Sequence, residues 1–265
     1  MSENLKDLEL RYGDRAAEYK RWWTPALVSF ARPLLERIPV EPGARAIDLG
    51  GGVGAFGSLL RRRGAEVIDV DASIGMLRRA PKTHGRVGAD VTRTPLGDRC
   101  ADIVVSTFVL QHISKPRRLL DEAARVARRG GTVATATWGA DRAGDPAQIV
   151  ASMLKRAHVP EDPLKAVPTY HALVDTPAKM TRLARAAGLD VIEAGVAQGA
   201  HAFTPETFIG FVGGMGVIRR RLMRLPDRKR AAVLRAIERE LRKLPPDRLV
   251  YRPDVVYLVA RRPKR

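Results

Sequence analysis

A single cysteine, Cys100, is all the thiol chemistry this 265-residue chain contains, so an internal disulfide and a multi-cysteine metal site are both excluded. Long apolar runs are missing too: the longest mostly apolar stretch, residues 101–113, is too short to cross a bilayer. The N-terminal residues mix charges from Glu3 onward and lack the apolar segment of a secretory signal. These absences predict a cytoplasmic protein without a membrane span. No H-E-x-x-H spacing occurs and the acids form no magnesium-type cluster, so the sequence implies no metal. Acidic residues are also in short supply. Against 47 Lys and Arg stand 29 Asp and Glu, a net charge of +18, and Arg supplies 37 of the cations. Such a balance fits a nucleic-acid partner, an acidic membrane face or an Arg-rich proteome.

The rest is an ordinary globular composition, 45% hydrophobic, with length for one large domain or a core with an appended piece. Residues 24–38 read as a helix with Thr24 as N-cap and Pro25 in the first turn, with a kink expected at Pro33. From there strands and helices alternate: strand 44–49, a glycine turn, helix 55–63, strand 66–70, a Ser73-capped helix to Ala80, then strands 85–89 and 103–106. A helix over 114–129 closed by Gly130-Gly131 and a Thr- and Val-rich strand at 132–138 follow. Strands alternating with helices in this way predict a parallel sheet covered on both faces. Beyond Trp138 the rhythm loosens into a helix from Asp145-Pro146, a proline-rich loop over 159–170, a helix from Thr176-Pro177 to Ala187, and strands at 189–196 and 255–260. Between those strands, Thr204-Pro205 and Asp227 open helices, the second with an apolar stripe of Val233, Leu234, Ile237, Leu241 and Leu244.

The chemistry concentrates at residues 46–54, where an apolar strand ends in Asp48 and glycines follow at 50, 52 and 54. Glycine lets the chain turn tightly and lets a ligand approach where a Cβ would collide. A dinucleotide is one candidate, since Gly52-Val-Gly-Ala-Phe-Gly57 is a literal G-x-G-x-x-G and Asp71 follows at nearly the right distance. A carboxylate at Asp48 would repel a pyrophosphate on the helix N-terminus, however, and suits a cationic ligand better.

Asp48-x-Gly50-x-Gly52-x-Gly54 resembles the first motif of class I S-adenosylmethionine-dependent methyltransferases. Residues 67–80 resemble the second strand and helix of that family, and further matches run through Gly88-Ala-Asp90-Val, residues 101–113 and residues 119–131. Their order and spacing are similar to the small-molecule branch called type 11, best over residues 40–140, and the terminal 255–262 resembles the antiparallel last strand. The resemblance implies an α/β, Rossmann-like open sheet of seven strands, mostly parallel with an antiparallel last strand, helices on both faces, and a helical insertion between the sixth and seventh strands. It divides the chain into an N-terminal helical cap at 1–39, a cofactor-binding core at 40–198 and 251–265, and a substrate lid at 199–250.

By the same resemblance, S-adenosylmethionine is the cofactor and S-adenosylhomocysteine the product. Asp48, Gly50, Gly51, Gly52 and Gly54 would hold the methionine part, Asp71 the ribose hydroxyls, and Met76, Asp90 and Val91 the adenine, with Ala72 a further cofactor-binding residue and Thr107 beside the switch point of the sheet. Taken singly, these residues also have structural explanations: an acid at a strand end forms turns and Met76 fills cores. His112 is the candidate general base for a hydroxyl or carbon acceptor, because imidazole titrates near neutrality. Its other reading is a capping or packing histidine. Some sugar-methylating relatives carry an acid where this chain has Thr137, a departure from a His–Asp pair. His158, His171 and His201 lie in the outer helices and loop, within a substrate's reach.

The substrate classes narrow by absence. Without an Asn/Asp-Pro-Pro-aromatic run, methylation of DNA base amines is disfavoured, and Cys100 precedes the fourth strand, which argues against cysteine addition to a pyrimidine. Residues 219–243 hold 11 basic and 3 acidic residues yet no Phe, Tyr or Trp for base stacking. A solvated face of an amphipathic helix explains them; an RNA partner is the rival. Three functions stand: methylation of a small molecule under a cover formed by Tyr12, Tyr19, Trp22, Trp23 and the insertion, methylation of RNA, or a non-catalytic cofactor-binding protein.

Overall fold

The computed structural model describes residues 12–140, 146–161 and 170–264. The start of the N-terminal cap, the Asp145 cap and most of the 159–170 loop lie outside the described residues. Seven strands form the main sheet: β1 (Arg45–Leu49), β2 (Glu66–Asp71), β3 (Gly85–Gly88), β4 (Ala101–Thr107), β5 (Ala127–Trp138), β6 (Asp190–Gln198) and β9 (Asp254–Arg261). Their order is β3-β2-β1-β4-β5-β9-β6. Neighbours from β3 to β5 pair in parallel, and β9 is antiparallel to both β5 and β6. The expected sheet is therefore the observed one.

Alternation along the strands sets the two faces. In β1, Ile47 and Leu49 pack with Leu119, Leu120 and Met180 from α4 (Arg117–Val126) and α6 (Pro177–Ala186). Ala46 faces the other way, toward Phe30 and Leu34 of α1 (Thr24–Glu36) and Phe56 and Leu60 of α2 (Ala55–Arg62). Asp48 shares that second face and is buried there, an ionisable group among apolar neighbours. Short α3 (Ile74–Leu77) is capped by Ser73, whose hydroxyl accepts from the Met76 amide, and α5 (Pro146–Arg156) follows β5.

The insertion is bracketed by a small antiparallel pair, β7 (His201–Ala202) with β8 (Val250–Tyr251). It holds three α-helices, α7 (Pro205–Gly214), α8 (Gly216–Met223) and α9 (Asp227–Leu241), and a 3-10 turn at Pro246–Leu249. The apolar faces of these helices join the core on the α1 side, through Phe208, Phe211, Ile218, Leu222, Val233 and Ile237. Among the described residues no helix is long and apolar enough to cross a membrane.

Three local expectations change. Thr24 is not a cap, because residues 13–23 are already helical and its hydroxyl donates instead to the Tyr19 carbonyl at 3.4 Å. The helix expected over 114–129 spans only 117–126, and Gly130-Gly131 belong to β5. Ala101 pairs with Ala127 but Ile103 with Thr132, so residues 128–131 bulge against Asp102. Gly131 fits that bulge because a Cβ would come within 2.9 Å of the Arg128 carbonyl. Helix α8 had no separate signal; extended Met215 divides it from α7.

Candidate active site

In the sheet order β1 and β4 are neighbours from which the chain departs in opposite directions, and ligands of open α/β sheets bind in the crevice at such a switch point. A cavity of about 410 Å³ opens there. One wall is the turn after β1 (Gly50–Val53), with Asp71 at the end of β2, Ala72, Ser73 and Met76 beyond it, and Asp90, Val91 and Thr92 beyond β3. The opposite wall is Thr107 to Val109 and His112 to Lys115 after β4, and the roof is Tyr12, Tyr19, Leu27, Val28 and Ala31.

Gly50, Gly52 and Gly54 all take positive φ, at 84°, 55° and 74°, which a side chain would resist. The turn is fastened to β2 from below. Asp71 Oδ2 accepts from the Gly52 amide at 2.9 Å and Oδ1 from the Ser73 amide at 2.8 Å. Asp71 thus serves the loop and also lines the cavity. Asp90 Oδ1 accepts from the Thr92 amide and hydroxyl, both at 2.8 Å. Asp48 is different: both its oxygens are buried without a hydrogen-bond partner among the described residues. Burial, then the neighbouring Asp69, push its carboxyl well above the usual range, and the nearby Gly57 amide offsets only part of this. A buried carboxyl without a partner costs stability unless a cation arrives to meet it.

The β4 side is shaped by strain. Phe108 sits at φ 58°, a left-handed conformation costing a non-glycine residue ~1 kcal/mol, and such residues cluster at functional sites. Its amide donates to the Ala136 carbonyl at 2.8 Å and its ring lies 4.4 Å from that of Trp138. Buried Gln111 locks the turn, donating from Nε2 to the Phe108 carbonyl at 2.7 Å and accepting on Oε1 from the Thr137 hydroxyl at 2.9 Å. His112 follows in a single 3-10 turn, Leu110–His112, with Nε2 at 3.4 Å from both the Tyr12 hydroxyl and Gln111 Nε2. It does not cap α4, whose first turn has no side-chain cap. Burial raises the Tyr19 hydroxyl out of its usual range, and Tyr12, Asp71 and Asp48 add to the effect.

The cofactor-binding and catalytic candidates from Asp48 to His112 all line this cavity except Gly54. Gly54 stands behind the turn, where a Cβ would meet Pro81 at 2.6 Å. His158, His171 and His201 do not line it. His171 Nε2 contacts the Trp138 carbonyl at 3.1 Å and His201 Nδ1 contacts Ser29 Oγ at 3.1 Å. Trp22 and Trp23 also stay out of the cavity: Trp23 stacks on Phe211 at 4.3 Å and Trp22 fills the space beside Gly210, joining the N-terminal segment to α7. Sequence reasoning missed Phe108 and Gln111, because a left-handed phenylalanine and a buried amide leave no periodic mark. It also missed Asp69 and His84, a buried pair beneath the glycine turn.

The basic run needs a correction as well. Arg221 is not on a solvated face: it is 4% exposed, donates to the Val159 and Pro160 carbonyls at 2.7 and 3.0 Å, and pairs with Glu161 at 3.2 Å. Arg230, Arg242 and Lys243 pair with Asp227, Glu238 and Glu240.

A family model described as a methyltransferase domain, of type 11, matches residues 47–135. Malonyl-[acyl-carrier protein] O-methyltransferase of Pectobacterium atrosepticum is 32% identical over 137 residues, covering 51% of this chain and 54% of that protein. Demethylmenaquinone methyltransferase of Mycobacterium tuberculosis is 34% identical over 116 residues, 42% of this chain and 45% of its own. The chain thus spans about half the length of these curated relatives. Among solved structures, the complex of the Haloferax volcanii Trm112 methyltransferase activator with a putative methyltransferase matches 96% of this chain and 97% of that one. Its TM-score is 0.58 at 21% identity, a likeness of fold.

Proposed function

Because the chain belongs to the class I S-adenosylmethionine-dependent methyltransferases, through its type 11 methyltransferase domain at residues 47–135, we propose that it transfers a methyl group from S-adenosylmethionine to an oxygen or carbon of a small molecule. The observation that carries the reading is the buried carboxyl of Asp48, without a hydrogen-bond partner among the described residues, beside a left-handed glycine turn in the switch-point cavity. That arrangement fits a cationic ligand and disfavours a pyrophosphate. S-adenosylmethionine supplies, when bound, a methyl group activated by its sulfonium.

The residues divide the work. Asp48 would meet the ammonium of the methionine part, while Gly50 and Gly52, whose amides already donate to the Val70 carbonyl and to Asp71, leave their Cα atoms open to it. Asp71, held in place by the Gly52 and Ser73 amides, would accept from the ribose hydroxyls. Asp90 and Val91 would take the adenine edge, with Met76 against the ring. Placement in line with an acceptor is the main requirement of the reaction, and the rigid turn fixed by Phe108 and Gln111 serves it. His112 would take the proton of a hydroxyl or carbon acid, with the Tyr12 hydroxyl against its Nε2.

The small acceptor is supported by the apolar roof of Leu27, Val28 and Ala31 over the cavity. Relatives named for malonyl-[acyl-carrier protein] and demethylmenaquinone point the same way. RNA is disfavoured by the internal pairing of Arg221, Arg230, Arg242 and Lys243. Calorimetric titration with S-adenosylhomocysteine tests the cofactor site: Asp71→Ala should weaken binding ~10- to 100-fold, the worth of charge-assisted bonds to two hydroxyls. Unchanged affinity, or tighter binding of a nicotinamide dinucleotide, removes the assignment. Once an acceptor is in hand, His112→Ala should slow turnover ~10²- to 10⁴-fold at matched cofactor saturation, with cofactor affinity kept. A wild-type rate removes His112 from the mechanism.

A further inference from the structure

Asp69 lies in register with Asp48 across the β1–β2 pair, on the same face of the sheet. Its side chain is 0% exposed, and Oδ2 lies 2.7 Å from Nδ1 of His84, whose side chain is 1% exposed. Neither residue lines the cavity, and nothing in the proposed reaction uses them. The outer atoms of the pair, Asp69 Oδ1 and His84 Nε2, have no hydrogen-bond partner among the described residues. The glycine turn rests directly on this pair. A Cβ on Gly51 would lie 2.8 Å from Asp69 Oδ1, one on Gly54 would lie 2.9 Å from Oδ2, and one on Gly57 would lie 2.7 Å from Oδ1.

Two carboxyls and an imidazole thus share one dry space, about one strand spacing (~4.8 Å) apart in the sheet. They cannot all be charged in such a medium, so protons must stay bound among them. One proton sits in the Nδ1···Oδ2 hydrogen bond of Asp69 and His84. Another stays on Asp48, whose ionised form the nearby Gly57 amide satisfies only in part. The charged or titratable groups that face this set are Asp71 at the end of β2, Arg86 on β3, Arg61 on α2, and the Tyr19 hydroxyl toward Asp48.

We propose that Asp69 and His84 are positioning residues that form a proton-holding floor under the glycine turn, and that an ammonium binding at Asp48 expels a proton whose retention depends on that floor. The proposal rests on the cofactor reading above. The balance is simple: the ligand keeps its ammonium proton, the Asp48 carboxyl gives its own to solvent, and the new carboxylate and the ammonium neutralise each other. Asp69 sets the amount. Burial already favours the neutral form of Asp48 and the charge of Asp69 adds to it, so without that charge Asp48 ionises more readily before the ligand arrives and less is released.

The test is calorimetric titration of the full chain with S-adenosylhomocysteine near pH 7 in phosphate and in Tris, whose ionisation heats differ. The wild type should release up to about one proton per ligand, and its affinity should rise with pH by as much as tenfold per unit while Asp48 titrates. In Asp69→Asn, which keeps the shape and can still accept from His84, the proton count should fall to roughly half or less and the pH limb should move to lower pH. The ligand's own amine titrates identically in both proteins, so the difference belongs to the protein. A role in packing alone would lower affinity without moving the proton count. Identical heats in the two buffers for the wild type, or a wild-type count in Asp69→Asn, overturn the proposal while leaving the cofactor reading intact. Absence of binding, checked by equilibrium dialysis, overturns both. If Asp69→Asn does not fold, the wild-type series decides, and an affinity flat from about pH 5.5 to 7.5 overturns the linkage.

Discussion

Gly57→Ala separates two physical effects of opposite sign. Gly57 is the third residue of α2 and its φ is an ordinary one, so intrinsic helix propensity favours alanine by about 1 kcal/mol. Packing argues the other way. The new methyl would lie 2.7 Å from Asp69 Oδ1, 2.8 Å from Val67 Cγ1 and 3.3 Å from His84 Cε1, and all three groups are buried. None is the free end of a flexible chain, because Asp69 is held by His84 and Val67 lies within β2. Overpacking a tight site costs ~1–3 kcal/mol, and two contacts below 3.0 Å against held groups place this one at ~2–3 kcal/mol, so the net effect should be a loss of ~1–2 kcal/mol once the propensity gain is subtracted. For a chain of this size each kcal/mol lowers the melting temperature by roughly 2–4 °C, and thermal unfolding followed by circular dichroism measures it. The double variant Gly57→Ala, Asp69→Ala should recover part of the loss, because the floor is then lowered. A single variant as stable as the wild type, or more so, would refute the view that the carboxylate of Asp69 is what requires glycine here.

Other outcomes follow from the same geometry. Asp48→Asn should make the ligand-free protein more stable and its affinity for S-adenosylhomocysteine weaker. The folded state holds the Asp48 proton above the pH at which the unfolded chain releases it, so wild-type stability falls as pH rises from about 4 and the gap to the variant widens, which denaturant titrations across pH measure. Arg221→Gln should cost ~1–3 kcal/mol, because the Val159 and Pro160 carbonyls lose buried charged donors, whereas exposed Arg228→Gln should be near neutral; urea midpoints compare them. Glu122, whose carboxyl Arg125 and Thr94 hold below its usual range despite burial, should stabilise the fold at neutral pH, so the stability gap to Glu122→Gln should close as pH falls through that lowered value.

Local sequence chemistry alone determined the alternating core. The glycine turn after an apolar strand, the Ser73, Thr176 and Thr204 caps and the apolar stripe of α9 each depend on neighbours within one or two turns of chain, and their elements formed where they were read, except that the Ser73-capped helix ends at Leu77 and not at Ala80. The cavity residues from Asp48 to His112 were legible for the same reason: apart from Met76 in α3, each stands at the end of a strand or in the turn that follows it, and parallel strands bring those ends together. Tertiary structure decided what depends on distant partners. Gly130-Gly131 became a bulge because β4 lies alongside, and Arg221 went inward to meet two carbonyls about sixty residues away. Trp22 and Trp23 turned to the insertion because Gly210 and Phe211 receive them, leaving Tyr12 and Tyr19 to line the cavity. Asp69 and His84 read as an unremarkable strand acid and a loop histidine until the fold buried both at 2.7 Å under the glycines; only then does one carboxylate explain three glycine positions. Periodicity records which face of an element is apolar, whereas the partner of a buried charge is set by pairing across the sheet.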